Sequence, residues 1–285
     1  MKIMITGAGG FLGSRLCEYF GTESDYEVIQ THRGQPNISN REELLHFMDK
    51  NKPEYLIHCA AISNLSSCEA DPDGSYQVNV KDSLHLAEAS VKCGTKMIFC
   101  SSDQVYLKNG IQTPHKESEE LMPPHHYGKQ KKEAEEWMTN HAKDTVCLRL
   151  SWMYDFEKKY QSEHDQLYTL LQNAMKNKEV LSFSVNDIRS ITYVREIVTN
   201  IEKTFKLPGG IYNFGSENQF TTYDLVGRML DIMNVEHNMI RKDEKTFSDE
   251  ARNLGMSLEK IRKYGIELQD TIVGFQQGYM RYVNQ

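Results

Sequence analysis

A phenol and an ammonium stand four residues apart in Tyr127-Gly128-Lys129-Gln130-Lys131. Helical residues i and i+4 share a face, so a helix here would hold Tyr127 beside Lys131. A free tyrosine, with a pKa of about 10, exchanges protons poorly near neutrality, and a close cation stabilises its phenolate. Upstream, Met97-Ile98-Phe99-Cys100-Ser101-Ser102 reads as a strand ending in two hydroxyls. Either hydroxyl, Ser101 or Ser102, could meet the phenol there. At the N-terminus, Thr6-Gly7-Ala8-Gly9-Gly10-Phe11-Leu12-Gly13 follows an apolar run directly. Gly7 suits a tight turn off a strand, Gly10 admits a pyrophosphate to the backbone, and Gly13 allows close packing of helix on sheet. Phe11 and Leu12 would open that helix, whose N-terminus meets the phosphate charge. A hydroxyl, a phenol and an ammonium would then converge beside a bound dinucleotide, where a proton could be exchanged.

Which dinucleotide is read at the end of the second strand. An acid there would bind a ribose 2′-hydroxyl, whereas a basic residue accommodates a 2′-phosphate. The chain has Gln30-Thr31-His32-Arg33, with no acid. Arg33 could pair a phosphate through its planar fork, which favours NADP(H) over NAD(H).

Such groups need a scaffold, and the first half supplies one. Strand patterns at 2–5, 27–31, 55–61, 96–101 and 145–150 alternate with helical patterns at 12–20, 41–50, 78–91 and 127–141. Strands separated by helices of this length pair in parallel through right-handed crossovers, so the expected class is α/β with a doubly wound Rossmann sheet. Its ligand crevice lies at the carboxyl ends of the strands, where Ser102 would sit. After Ser151 the alternation loosens. Helices are expected at 166–176, 194–205, 223–233 and 258–264, and strands at 180–185 and 210–214. The expected division is a dinucleotide-binding domain over 1–151 and a smaller, discontinuous α/β substrate lobe over 152–285. A stretch near 186–215 returns to the first domain.

The 285 residues are long enough for a full core. Forty acids against 33 bases give a net charge of −7, which argues against nucleic acid or anionic membranes as partners. No apolar run reaches the 18 residues of a spanning helix, and the start runs into a strand without a cleavage site, so the expected compartment is the cytoplasm. The six cysteines lack metal spacing and read as reduced core thiols. His32, His125 and His126 have no carboxylate or thiol partners at metal spacing, so no metal is expected. Lys129 and Lys132 read as the solvated side of their helix, with Glu133, Glu135 and Glu136.

Thr6-Gly7-x-x-Gly10-x-x-Gly13, His58-Cys59-Ala60-Ala61, Asn79, Ser102 and Tyr127-x-x-x-Lys131 together resemble the extended short-chain dehydrogenase/reductase family. Between residues 96 and 155 the likeness is to its dTDP-4-dehydrorhamnose reductase branch. The resemblance implies NADP(H)-dependent reduction of a nucleotide-linked 4-keto sugar by a protein that is commonly a homodimer. It implies that Tyr127 protonates the ketone oxygen and that Lys131 binds the nicotinamide ribose and lowers the Tyr127 pKa. Ser102 would bind the substrate carbonyl and Ala60 and Ala61 would line the cofactor cleft, with Asn79 structural. Arg189 stands where related epimerases and dehydratases contact a substrate diphosphate, though an ion pair would explain it equally. Trp152 either stacks on a sugar or fills the space between lobes. Gln104 replaces the branch's usual tyrosine, and Ala251-Arg252-Asn253 replaces its Arg-Pro, which blurs the sugar and nucleotide. Two other readings stay open. One is an epimerase or dehydratase with bound NAD. The other is a non-catalytic NADP-binding subunit resembling the regulatory subunit of methionine adenosyltransferase.

Overall fold

The computed structural model describes residues 1–22, 25–32, 34–109, 114–157 and 167–284. It divides into two compact units. The first comprises Met1–Tyr106, Leu121–Arg149 and Val198–Tyr212; the second comprises Leu107–Glu120, Leu150–Ile197 and Asn213–Gln285.

A six-stranded parallel sheet organises the first unit. Strands β1 (Lys2–Thr6), β2 (Glu27–Gln30), β3 (Tyr55–His58), β4 (Lys96–Ser102) and β5 (Val146–Leu150) combine with strand Gly210–Phe214. The order is Gly210–Phe214, β5, β4, β3, β1, β2. The order reverses at β1, as expected of a doubly wound sheet. Register aligns Thr6 with His58 and His58 with Phe99, so the carboxyl ends of β1, β3 and β4 lie together. The inner strands β1, β3, β4 and β5 are mostly apolar and buried because both faces are covered, whereas β2 at the edge has exposed ends. One face packs Met4, Leu56, Met97, Phe99 and Cys147 against Leu44 and Met48 of α2 (Arg41–Asn51), Leu86 of helix Ser83–Cys93 and Met138 of helix His126–His141. Helix α1 (Phe11–Thr22) follows the glycine turn.

The expected helix at 78–91 is two pieces: a π-helical turn, Gln77–Asp82, runs into α-helix Ser83–Cys93. Short helices Leu65–Ala70 and Pro72–Tyr76 precede it, each started by an Asn or Asp side chain that accepts backbone N–H groups.

The second unit is built from two-stranded parallel pairs around an aromatic core of Tyr154, Phe156, Tyr168 and Phe275. Helices Leu167–Asn177 and Thr222–Met233 contribute Leu171, Leu225 and Met229 to it. Helix Thr271–Val283, which hydrophobic periodicity did not reveal, brings Phe275. All cysteines are free thiols. Among the described residues, no helix is long and apolar enough to cross a membrane.

Candidate active site

The glycine turn is shaped by backbone proximity. Gly7 has φ +68°, and a Cβ there would stand 2.8 Å from the Ala60 nitrogen. A Cβ on Gly13 would fall 2.1 Å from the Gly7 carbonyl oxygen. Only glycine fits both places, because the helix start, the turn and the loop after β3 are packed backbone to backbone. The Gly10 N–H donates to the Gly7 carbonyl at 2.8 Å and closes the turn. Helix α1 has no acid in its first turn, so the positive end of its dipole is uncancelled there. This cradle suits the pyrophosphate of a dinucleotide. The end of β2 continues into Thr31 and His32 without an acid, while Arg33 lies outside the described residues.

His58 fixes the floor beside the turn. It is buried, its Nδ1 is 2.6 Å from Thr6 Oγ1, and its Nε2 is 2.8 Å from Ser83 Oγ. Ser83 gives its own proton to the Asn79 carbonyl, so the imidazole donates through Nε2 and accepts at Nδ1. Burial, aided by the nearby Lys131 charge, pushes the His58 pKa down to about 3. The Ala60 N–H reaches Thr6 Oγ1 at 3.4 Å, which ties the Ala60–Ala61 loop to β1.

Ser102, Tyr127 and Lys131 meet at the end of β4. Helix His126–His141 is capped by His125, whose Nδ1 accepts the Gly128 N–H at 2.9 Å. Its inner face carries Tyr127, Gln130 and Lys131, all buried. Lys131 Nζ donates to the Cys100 carbonyl at 2.8 Å and lies 4.5 Å from the Phe99 ring centre and 5.9 Å from that of Tyr127. Burial lowers the Lys131 pKa to about 8, with Cys100 and Glu135 opposing the shift. The expected lowering of the Tyr127 pKa is not found. Burial raises it, a hydrogen bond with Ser102 pulls it back in part, and Asp103 adds to the rise. Desolvation is the largest of these effects, so the phenol holds its proton more firmly than a free tyrosine does. Ser102 Oγ also accepts the Gln104 N–H at 3.2 Å, whereas Ser101 Oγ is buried with no hydrogen-bond partner among the described residues.

Glu135 corrects a second expectation. It is not on the solvated side but 1% exposed, forked onto Arg149 by bonds of 2.7 to 3.2 Å. Arg149 also donates to Tyr106 Oη at 2.7 Å. The missed signal was an arginine inside the apolar strand Val146–Leu150, which needs a buried acid, and Glu135 follows Lys131 by one helical turn. Lys132 is likewise half-committed, donating to the Leu121 carbonyl at 3.0 Å.

Trp152 and Arg189 belong to the second unit, where the guanidinium carbon lies 4.4 Å from the centre of the indole. Trp152 packs on the aromatic core. Arg189 ends strand Asp187–Arg189, which Arg252 holds through a two-point ion pair to Asp187 at 2.7 and 2.8 Å. Among the described residues, no group of three or more His, Cys, Asp or Glu could hold a metal ion.

A glycine-turned, doubly wound sheet with Ser, Tyr and Lys at one strand end defines the extended short-chain dehydrogenase/reductase class. Within it, the chain belongs to the family described as RmlD substrate binding domain, which matches residues 1–279. It is 26% identical to the dTDP-4-dehydrorhamnose reductase of Aggregatibacter actinomycetemcomitans, over 94% of this chain and 95% of that one. It is 28% identical to methionine adenosyltransferase 2 subunit beta of Xenopus tropicalis, over 93% and 83%. In structure it resembles the dTDP-4-dehydrorhamnose reductase of Bacillus anthracis in complex with NADP. There the TM-score is 0.85 at 21% identity, covering 98% of this chain and 99% of the other.

Proposed function

We propose that this protein is an NADP(H)-dependent reductase of a nucleotide-linked 4-keto sugar. The observation that carries the reading is the meeting of Ser102, Tyr127 and Lys131 at the strand end beside the glycine turn. The family membership supports it. On this reading the first unit binds the cofactor through Gly7, Gly10, Phe11, Leu12, Gly13, Ala60 and Ala61, with Arg33 on the 2′-phosphate. The second unit provides Trp152 and Arg189 to the sugar nucleotide.

NADPH, when bound, supplies hydride to the ketone carbon. Tyr127 gives its phenolic proton to the ketone oxygen, so the carbonyl becomes an alcohol. Ser102 donates a hydrogen bond to the same oxygen and orients it. Lys131 would hold the ribose, and the phenolate left on Tyr127 is reprotonated from solvent. The raised pKa of Tyr127 suits this direction, since the phenol keeps its proton until a carbonyl is there to take it.

The test is NADPH oxidation against dTDP-, UDP-, GDP- and CDP-linked 4-keto sugars. Tyr127→Phe should lower turnover by about 10²–10⁴ while NADPH still binds. Unchanged turnover removes Tyr127 from the chemistry, and tightly held, nonexchanging cofactor in the purified protein would point to an epimerase or dehydratase instead. The likeness to a methionine adenosyltransferase subunit favours a second reading, NADP binding without catalysis. NADPH binding with no sugar reduced would select it. The proposal extends to a cytoplasmic homodimer, its assembly to be read by light scattering.

A further inference from the structure

Helix His126–His141 carries a third buried polar side chain on the face of its phenol and ammonium. Gln130 is 3% exposed. Its Oε1 accepts a hydrogen bond from Asn79 Nδ2 at 2.8 Å, and its Nε2 donates to Ser75 Oγ at 2.8 Å and to the Pro72 carbonyl at 3.4 Å. Asn79 is fully buried in the π-helical turn Gln77–Asp82. Wide turns of this kind redirect side chains and recur at functional sites. Here the turn sends Asn79 to one backbone unit: Oδ1 accepts the Ile62 N–H at 2.8 Å and Nδ2 donates to the Ile62 carbonyl at 2.9 Å.

Ile62 directly follows Ala60 and Ala61. The strand before this loop ends at His58, and helix Leu65–Ala70 begins after it. The loop therefore has no ladder of its own; the Ile62 carbonyl also accepts from the Cys68 thiol at 3.2 Å, but both backbone groups of Ile62 are bonded by one side chain, that of Asn79. That side chain in turn is held by Gln130. Buried amides permit one bonded arrangement and penalise others, so this chain of bonds fixes a discrete register between loop and helix.

We infer that Gln130 is a positioning residue: acting through Asn79, it sets where the Ala60–Ile62 loop stands relative to Tyr127 and Lys131. It thereby governs dinucleotide affinity and hydride-transfer geometry without touching either ligand. The inference rests on the NADPH reading above.

The test uses the full chain and three readouts: NADPH affinity by fluorescence titration, single-turnover rate with a sugar the unaltered protein reduces, and the pH profile of that rate. Gln130→Met keeps length and approximate volume but removes all three bonds. The NADPH Kd should rise about tenfold or more, as expected when a buried amide loses its partner. The rate should fall by a similar factor, and the pH profile should keep its shape, because the groups around Tyr127 are unchanged. Asn79→Leu cuts the same link at its other end and should raise the Kd at least as far, with Gln130→Met adding little on top of it. If Gln130→Met does not fold, Gln130→Asn, one methylene shorter, enters the same titration with the same expected loss. A lowered melting temperature with unchanged Kd overturns the inference, as does a Gln130→Met effect on Kd that adds fully to that of Asn79→Leu. An unaltered protein that binds no NADPH refutes the functional reading instead.

Discussion

Lys131→Met should make the protein more stable at neutral pH while abolishing its use of NADPH. The ammonium is 2% exposed, and burial moves its pKa from the ordinary 10.5 to about 8. Each pH unit between those values corresponds to about 1.4 kcal/mol, so the fold disfavours the charged form by about 3 kcal/mol. The folded pKa lies below the unfolded one. Between pH 8 and 10.5 the unfolded chain therefore keeps a proton that the native chain has released, and stability rises with pH across that window. Below pH 8 the whole penalty is present. Methionine removes it but leaves the Cys100 carbonyl without its donor, which costs about 1–3 kcal/mol. The net at pH 7 is thus a gain of up to about 2 kcal/mol. The pH dependence is the sharper quantity. Urea unfolding of both proteins from pH 7 to 10.5 should show the variant's advantage shrinking by about 3 kcal/mol, the size of the Lys131 titration itself. Parallel stability curves would refute the reasoning, because they would mean that Lys131 is not held charged in a dry site.

Three further perturbations test the frame around the site. His58 is neutral in the fold with its pKa near 3, so it gives stability that is complete above its unfolded pKa of about 6.5 and is lost as pH falls toward 3. His58→Gln should flatten that acid limb in thermal melts, which in the unaltered protein is worth about 5 kcal/mol. Arg149→Met leaves Glu135 charged and buried without its fork and should cost about 3–5 kcal/mol in urea unfolding. Replacing Glu135 by Leu in the same chain should recover most of it. Gly13→Ala drives a Cβ into the Gly7 carbonyl and should cost about 1–3 kcal/mol and, by opening the turn, weaken NADPH binding measured by titration.

Much of the first unit was legible because its signals are local. The glycine turn is a contiguous string, and the buried strands are contiguous apolar runs. Tyr127 and Lys131 are one helical turn apart, so their common face follows from spacing alone. What escaped depends on partners distant in sequence. Glu135 looks solvated among Glu133 and Glu136, and only the arrival of Arg149 on β5 shows that it faces inward. The Tyr127 pKa turned on how deeply the phenol is buried, which no spacing reveals. Asn79 and Gln130 are separated by 51 positions, and the π turn that aims the first has no hydrophobic period. In the second unit the strands Trp152–Tyr154, Asp187–Arg189 and Arg252–Leu254 have three residues each, too short for alternation to register. Helix Thr271–Val283 has glycines at 274 and 278, which lowered its propensity; a Cβ at Gly278 would meet the Phe156 and Tyr193 rings.

The interleaving of the two units has a consequence for synthesis on the ribosome. After residue 150 has emerged, five strands of the central sheet exist and β5 is an open edge. Its outer neighbour, Gly210–Phe214, follows only after residues 151–209 have been made, and most of these belong to the other unit. An apolar, fully buried strand therefore waits with unpaired backbone groups for several seconds at ordinary rates of translation. Nascent chains stalled between those two points should be the stage most dependent on chaperones, and the sheet closes only when the polypeptide returns to it.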